Sequence, residues 1–207
     1  MKILAIDTAG WVASCALWED HHEIAFGERD QERSQAALLP ELVKEVMGDH
    51  KVDQILVNVG PGSFTGIRLG IAFAKGLGLG WNIPIKGIDS FTANYLGIEP
   101  QDDVLILIEA RRQDVYARRF KKGIPQIARS LTREEIEKEL ITSIVAGSGV
   151  HPLLDGLSFK EIQPSLQGAQ LLANAYFKTP DLFGDPAPFY VREADVSFPV
   201  EKCAPKS

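Results

Sequence analysis

The chain has 207 residues with 22 Lys and Arg against 28 Asp and Glu, a formal charge of −6, which excludes a protein that grips nucleic acid over its whole surface, because that needs clustered cations. Its 45% hydrophobic and 24% charged residues are those of a chain with a packed core, disordered at most near its ends. Cys15 and Cys203 have no CxxC or Cys/His spacing, so neither a zinc site nor a disulfide framework is indicated. The first apolar run is cut off at Asp7, too short for a signal segment or a membrane span, and the expected location is the cytoplasm with no membrane partner.

Residues 2–6 read as a buried strand ending in Asp7-Thr8-Ala9-Gly10, residues 12–18 as a second strand, and residues 23–26 as a third after the turn Asp20-His21-His22. Ser34 is placed to cap a helix reaching Met47, in which Leu38, Leu39, Leu42, Val43 and Val46 recur at helical spacing, while Pro40 demands a late start or a kink. The apolar strand 54–59 runs into Gly60-Pro61-Gly62-Ser63-Phe64-Thr65-Gly66, followed by a helix to about Leu79, a short strand over 83–87 and a brief helix capped by Ser90 and reaching about Leu96. Residues 97–103 are polar, contain Pro100, and mark a boundary between a first lobe, 1–100, and a second, 101–207.

Past that boundary the opening pattern returns. Residues 104–108 form a strand ending in Glu109-Ala110-Arg111-Arg112, and residues 115–120 return beside it, as residues 3–7 and 12–18 do. The order of strand, carboxylate, turn and strand in both halves points to an internal duplication. A helix over 133–140, a strand over 143–146 ending in Gly147-Ser148-Gly149, and a helix over 169–177 follow. Pro186, Pro188, Pro199 and Pro205 then punctuate an extended tail that frays.

The strand-terminal Asp7 followed by Thr8 has the form of a turn that holds a metal or its water and faces phosphate, or of a simple Asx turn. Gly60, Gly62 and Ser63 lead into a helix N-terminus, where backbone N–H groups and the helix dipole favour an anion, and Arg68 lies one turn on, placed to pair with a carboxylate. No Gly-Lys-Ser/Thr ending supplies a phosphate-binding lysine, and a tight strand-to-helix connection explains the glycines equally well. Gly66, Gly70, Ala74 and Gly78 recur every fourth residue, beside an apolar face of Leu69, Phe73 and Leu77. Each interior helix glycine costs about 0.8–1.0 kcal/mol relative to alanine, so the stripe implies a close-packed neighbour, either within the chain or on a partner.

His21, His22, His50 and His151 lack the spacing of a metal pair. Asp7 and Glu109 are the one carboxylate pair the repeat suggests, as for a small actin-like phosphotransferase or ATPase. Arg111, Arg112, Arg118, Arg119, Lys121 and Lys122 make the one basic cluster, either a tRNA contact or a solvated edge.

The segments ILAIDTA, SQAALLPEL, GPGSFTGIRLG, EARRQDVYARRF and PFYVR together resemble the TsaB (YeaZ) family over nearly the whole chain, with Glu109 standing where that family usually has Asp and Arg33 where it often has His. The resemblance implies an α/β, actin-like and Hsp70-like fold of two ribonuclease-H-like lobes, the second reduced. It implies a non-catalytic subunit for threonylcarbamoyladenosine modification of tRNA beside the anticodon, bound to a TsaD-like catalytic subunit and working with a TsaE-like ATPase and with TsaC. It places the partner interface on the helix of Leu38, Leu39, Leu42, Val43 and Val46 and on the helix of Gly66, Leu69, Gly70, Phe73, Ala74 and Leu77. It implies no cofactor for the isolated chain, ATP or ADP with magnesium at the complex interface, only indirect contact with tRNA, and a homodimer when the chain is alone.

Overall fold

The computed structural model describes residues 1–30, 35–110, 114–140, 144–150 and 154–192. Burial on both faces shapes the first sheet. In β1 (Lys2–Asp7), Leu4 and Ile6 point to one core and Ile3 and Ala5 to another, as a strand covered on both faces requires. β2 (Val12–Glu19) pairs antiparallel with β1, and β3 (His22–Asp30) pairs antiparallel with β2. β4 (Gln54–Asn58) and β5 (Ile85–Ile88) add in parallel, giving the order β3-β2-β1-β4-β5. The third strand is longer than its apolar residues indicate, because its nine residues are exposed or half-buried at the sheet edge.

Helix α1 (Gln35–Met47) runs through Pro40, which is exposed, so the late start is not observed. Ser34, the cap expected of it, lies outside the described residues. Helix α2 (Phe64–Trp81) starts on Ser63, whose side chain accepts from the Gly66 N–H, and ends where Asn82 turns left-handed. The Ile83 N–H bonds back to the Gly78 carbonyl at 3.0 Å, which explains why β5 begins two residues later than the apolar run. Both helices cover the Leu4/Ile6 face of the sheet.

The second sheet repeats the scheme. β6 (Asp103–Glu109) pairs antiparallel with β7 (Asp114–Lys121), β10 (Ile144–Ala146) adds in parallel to β6, and β11 (Lys160–Glu161) in parallel to β10. Two short strands, β8 (Ile124–Pro125) and β9 (Arg129–Thr132), share the far side of β7, so the third strand of this half is broken in two. The duplication reaches the loops: Gly60 and Gly147, each just after the fourth strand, both have φ near +103°. Helix α4 (Arg133–Leu140) occupies the place of α1, burying Ile136 and Leu140. No described helix between β10 and β11 matches α2, which is the reduction of this half.

The two halves exchange their last helices. Helix α3 (Ser90–Gly97) ends the first half yet sets Phe91 among Val104, Ile106 and Phe120 of the second sheet, with Tyr95 stacked on Phe120 at 4.3 Å. Helix α5 (Ala169–Lys178) lies in the second half yet buries Leu172, Ala173 and Ala175 against Ile3, Ala16 and Leu56 of the first sheet. The boundary read at residue 100 falls between α3 and β6, but the cores cross it. Among the described residues, no helix is long and apolar enough to cross a membrane.

The small-residue stripe on α2 faces inward. A Cβ on Gly66 would lie 2.0 Å from the Thr8 carbonyl oxygen and one on Gly70 2.2 Å from the Thr8 hydroxyl, whereas around Gly76 and Gly80 the space is open. Gly66→Ala is therefore expected to destabilise the fold by about 1–3 kcal/mol, while Gly76→Ala stabilises it by about 0.8–1.0 kcal/mol through helix propensity. Equilibrium urea unfolding of the two variants checks the opposite signs.

Candidate functional site: the cleft between the halves and the outer face of α2

Between the sheets lies a cleft of about 440 Å³, bounded by Asp7, Trp11 and Asn58 from the first half and by Ile108, Glu109, Ser148 and Gln163 from the second. Asp7 and Glu109 end the first strand of their respective halves, so the duplication brings the two carboxylates to one cavity, as the repeat suggests. Each is already engaged by the protein. Asp7 accepts from the Ala9 N–H at 2.9 Å and from the Asn58 side-chain amide at 3.0 Å, and Glu109 accepts from the Trp11 indole N–H. Asn58 in turn accepts from the Gly60 N–H and the Ser90 hydroxyl, both at 2.9 Å, tying β1, β4 and α3 together at the floor of the cleft.

The anion loop is filled from within. The Ser63 N–H donates to the Ala9 carbonyl at 2.7 Å, and the Ser63 hydroxyl takes the Gly66 N–H at 3.2 Å. Gly62 is glycine because a Cβ there would lie 2.3 Å from the Ala9 oxygen. Thr8 is buried and donates its hydroxyl to the Gly66 carbonyl at 2.7 Å. In the second half the Gly147 N–H and carbonyl are both taken by the Gln163 side-chain amide, at 3.4 and 3.3 Å, and the Gly149 N–H donates to the Leu107 carbonyl at 2.9 Å. The Gly60, Ser63, Gly66, Gly147 and Gly149 amides are thus engaged within the protein, and the described lining has three carboxylates, Asp7, Glu28 and Glu109, with no Lys or Arg. These groups do not fit a nucleotide's phosphates.

Arg68 corrects the expected carboxylate pairing. It is exposed, lies over the Phe64 ring at 3.8 Å, and donates through Nε to the Tyr190 hydroxyl at 3.0 Å, away from the cleft. The tail segment is therefore part of the fold: the Phe189 N–H donates to the Val59 carbonyl at 2.7 Å, and Arg192 pairs with Asp114. The fraying expected beyond it falls on residues outside those described.

The helix residues expected at a partner interface divide by burial. Leu39, Leu42, Val43, Val46, Gly66, Gly70 and Ala74 are buried in the chain's own core, which corrects the reading of the Gly66 stripe as a partner surface. Leu38, Leu69, Phe73 and Leu77 are half-buried. The outer face of α2 instead presents Arg68, Ala72, Lys75, Gly76, Leu79 and Gly80, with Leu79 86% exposed. The spacing Ala72, Gly76, Gly80 repeats the inner stripe on the opposite side; sequence periodicity shows both and assigns neither a direction.

The basic cluster also divides. Arg118 pairs with Asp89 at 3.5 Å, and Arg119 bonds Asp103 and Glu139, each at 2.8 Å, on the other face of the strand. Lys121 and Lys122 are exposed, and Arg111 and Arg112 lie outside the described residues. Among the described residues no group of three or more His, Cys, Asp and Glu is placed to hold a metal ion. Asn58, Trp11 and Tyr190 escaped the sequence reading, and Ser90, expected as a helix cap, is instead the first residue of α3, which Asp89 caps by accepting from the Thr92 N–H; Asn58 carried a signal, as a polar residue inside a fully buried strand.

Burial pushes the Asp7 carboxyl above the ordinary carboxylate range, and the Asn58 and Ala9 N–H groups hold it back in part. Since the raised value favours the protonated form in the folded state, the stability Asp7 allows is fully present below its unfolded pKa and is lost as pH rises from there through its folded pKa. Carboxyl-carbon NMR titration is expected to show Asp7 titrating above exposed aspartates, and higher still in Asn58→Leu, where the larger of the two restraining bonds is gone.

The family described as TsaD, tRNA N6-adenosine threonylcarbamoyltransferase, matches residues 30–149. A protein of Mycobacterium tuberculosis described only as uncharacterized is 30% identical over 209 residues, covering 97% of this chain and 96% of that one. The tRNA threonylcarbamoyladenosine biosynthesis protein TsaB of Escherichia coli is 34% identical over 130 residues, covering 59% of this chain and 56% of that protein, so the match spans little more than half of it. Among solved structures, YeaZ from Pseudomonas aeruginosa superposes with a TM-score of 0.71 at 20% identity, covering 91% of this chain and 99% of that one. A ROK family protein from Streptococcus pneumoniae superposes with a TM-score of 0.51 at 9% identity over 86% and 97% of the two chains. With the strand order repeated in both sheets, these likenesses make the fold actin-like, and the chain belongs to the TsaB (YeaZ) family.

Proposed function

We propose that this chain is a non-catalytic subunit in the biosynthesis of threonylcarbamoyladenosine in tRNA, binding and supporting a TsaD-like catalytic subunit through the outer face of α2 and the neighbouring exposed side of α1. The names of its TsaB relatives support the pathway. One observation carries the docking surface: Gly76 and Gly80 sit in open space on a helix beside a nearly fully exposed Leu79. Helix glycines are costly, and these two have no contact within the chain to offset the cost. A facing helix that approaches closely over Ala72, Gly76 and Gly80 supplies the reason.

The face has a charge pattern as well. Helix α2 contains no acidic residue and exposes Arg68 and Lys75, while α1 exposes Glu41 and Glu45 beside Lys44. A partner helix pair with the converse pattern is matched to it. Against a phosphotransferase working through Asp7 and Glu109 stand the two filled loops and the absence of Lys and Arg from the described lining. On this reading ATP or ADP with magnesium belongs to the assembled complex, a TsaE-like ATPase joins that complex, and tRNA is met chiefly by the catalytic subunit.

Size-exclusion chromatography with light scattering, of the chain alone and mixed with the TsaD-like protein of the same organism, tests this. The expected result is a heterodimer required for threonylcarbamoylation, weakened more than about tenfold by Leu79→Glu, a change at an exposed position that leaves the fold intact. Leu42→Asp is not a usable probe, since Leu42 is core. Undiminished binding by Leu79→Glu, or a homodimer that excludes the partner, overturns the docking surface. Turnover by the chain alone overturns the non-catalytic role.

A further inference from the structure

Among the described residues every arginine but one pairs with a carboxylate. Arg29 meets Glu45, Arg118 meets Asp89, Arg119 meets Asp103, Arg129 meets Glu139, Arg133 meets Glu137 and Arg192 meets Asp114. Arg68 meets none, yet it is no loose side chain. Its guanidinium carbon lies 3.8 Å from the centre of the Phe64 ring, and its Nε donates to the Tyr190 hydroxyl at 3.0 Å. Phe64 and Tyr190 are packed together with ring centres 5.3 Å apart. Tyr190 is held in turn by its neighbours, since the Phe189 N–H donates to the Val59 carbonyl at 2.7 Å and Arg192 is tied to Asp114.

A guanidinium carries five N–H groups. Nε uses one, and those on Nη1 and Nη2 have no partner among the described residues, on a side chain that is exposed. An exposed arginine ordinarily gives up rotamer freedom when it binds. Here the stack on Phe64 and the bond to Tyr190 have removed much of that freedom in advance, which lowers the cost of binding. What is presented is a flat fork of parallel N–H groups, matched to the two oxygens of a carboxylate.

The surroundings select the anion. Helix α2 contains no acidic residue and neither does the tail over 186–192, so no carboxylate on either supporting element competes for the fork. Arg68 begins the outer stripe that runs through Ala72, Gly76 and Gly80, and Leu79 stands near its far end, about 16 Å along the helix. Small residues and an 86% exposed leucine beside the fork suit a protein helix laid close along α2. They offer nothing to the backbone of a nucleic acid, which the net charge of −6 also repels.

We propose that Arg68, held by Phe64 and Tyr190, is a preformed receptor for one carboxylate of the partner protein, and that this bidentate ion pair sets the register in which the partner helix lies along α2. Arg68 makes the contact, and Phe64 and Tyr190 are positioning residues that act through it. The receptor rests on the docking surface proposed for α2 and names the chemical group that must stand opposite its N-terminal end.

The probe is the TsaD-like protein of the same organism, titrated calorimetrically with the full chain and its variants at low and at raised ionic strength. Arg68→Ala is expected to weaken the complex about tenfold and to flatten its dependence on salt, and Arg68→Lys, which keeps the charge but loses the fork, to weaken it about fivefold. Tyr190→Phe alone weakens it about threefold, and added to Arg68→Ala it changes nothing further. Thermal unfolding of each variant confirms that it is folded. Loss of binding by Leu79→Glu with full binding by Arg68→Ala overturns the receptor and leaves the docking surface standing. Undiminished binding by both, or no complex with the unchanged chain, overturns the two together. Full affinity of Arg68→Ala for the partner with weaker retention of a tRNA transcript assigns the fork to phosphate and overturns the proposal. An equal loss by Tyr190→Phe with and without Arg68→Ala overturns the positioning role of the tyrosine.

Discussion

The contact between the β1 turn and the start of α2 governs the rest. The Thr8 hydroxyl bonds the Gly66 carbonyl, and the Ala9 carbonyl takes the Ser63 N–H, with no room for a Cβ at positions 62, 66 or 70. So close an approach fixes which side of α2 faces the sheet, and therefore which side is left to solvent. One local packing contact thus engages the Ser63 amide and directs Ala72, Gly76 and Gly80 outward.

The two halves have followed the same course by different means. In the first the Ala9 carbonyl takes the Ser63 N–H, and in the second a side-chain amide takes the place of a carbonyl, Gln163 closing on Gly147 from both sides. Two sheets built on the same scheme flank a cleft whose described lining has no Lys or Arg. What remains is a polar cavity of different chemistry and a scaffold whose outer helix face is free of internal obligations.

Much of this was legible in the sequence, and the failures have physical reasons. Short apolar runs bounded by turn residues gave β1, β2, β6 and β7, and the helical pattern over 133–140 gave α4 over the residues observed. The duplication was visible as a repeated order of strand and carboxylate. Direction was not: a four-residue stripe of small side chains looks the same whether it meets Thr8 or a partner, and only tertiary structure separates Gly66 from Gly76. Strands β8, β9 and β11, of two to four residues, are too short for any period to register. The roles of Arg68 and Tyr190 depend on a contact 122 residues apart, beyond any local pattern. The candidate site was half legible, because its carboxylates stand at strand ends while the partners that occupy them come from other elements.

The exchange of terminal helices between the halves bears on how the chain acquires its structure as it is made. The face of the first sheet that carries Ile3, Ala16 and Leu56 is covered by Leu172 and Ala175, residues synthesised more than a hundred positions later. A half that in a simple tandem repeat would fold as soon as it emerged must here wait, with apolar strands uncovered, for nearly the whole of the described chain. Fusion of two copies has made each the other's chaperone, and neither sheet keeps a complete core once the other half is cut away.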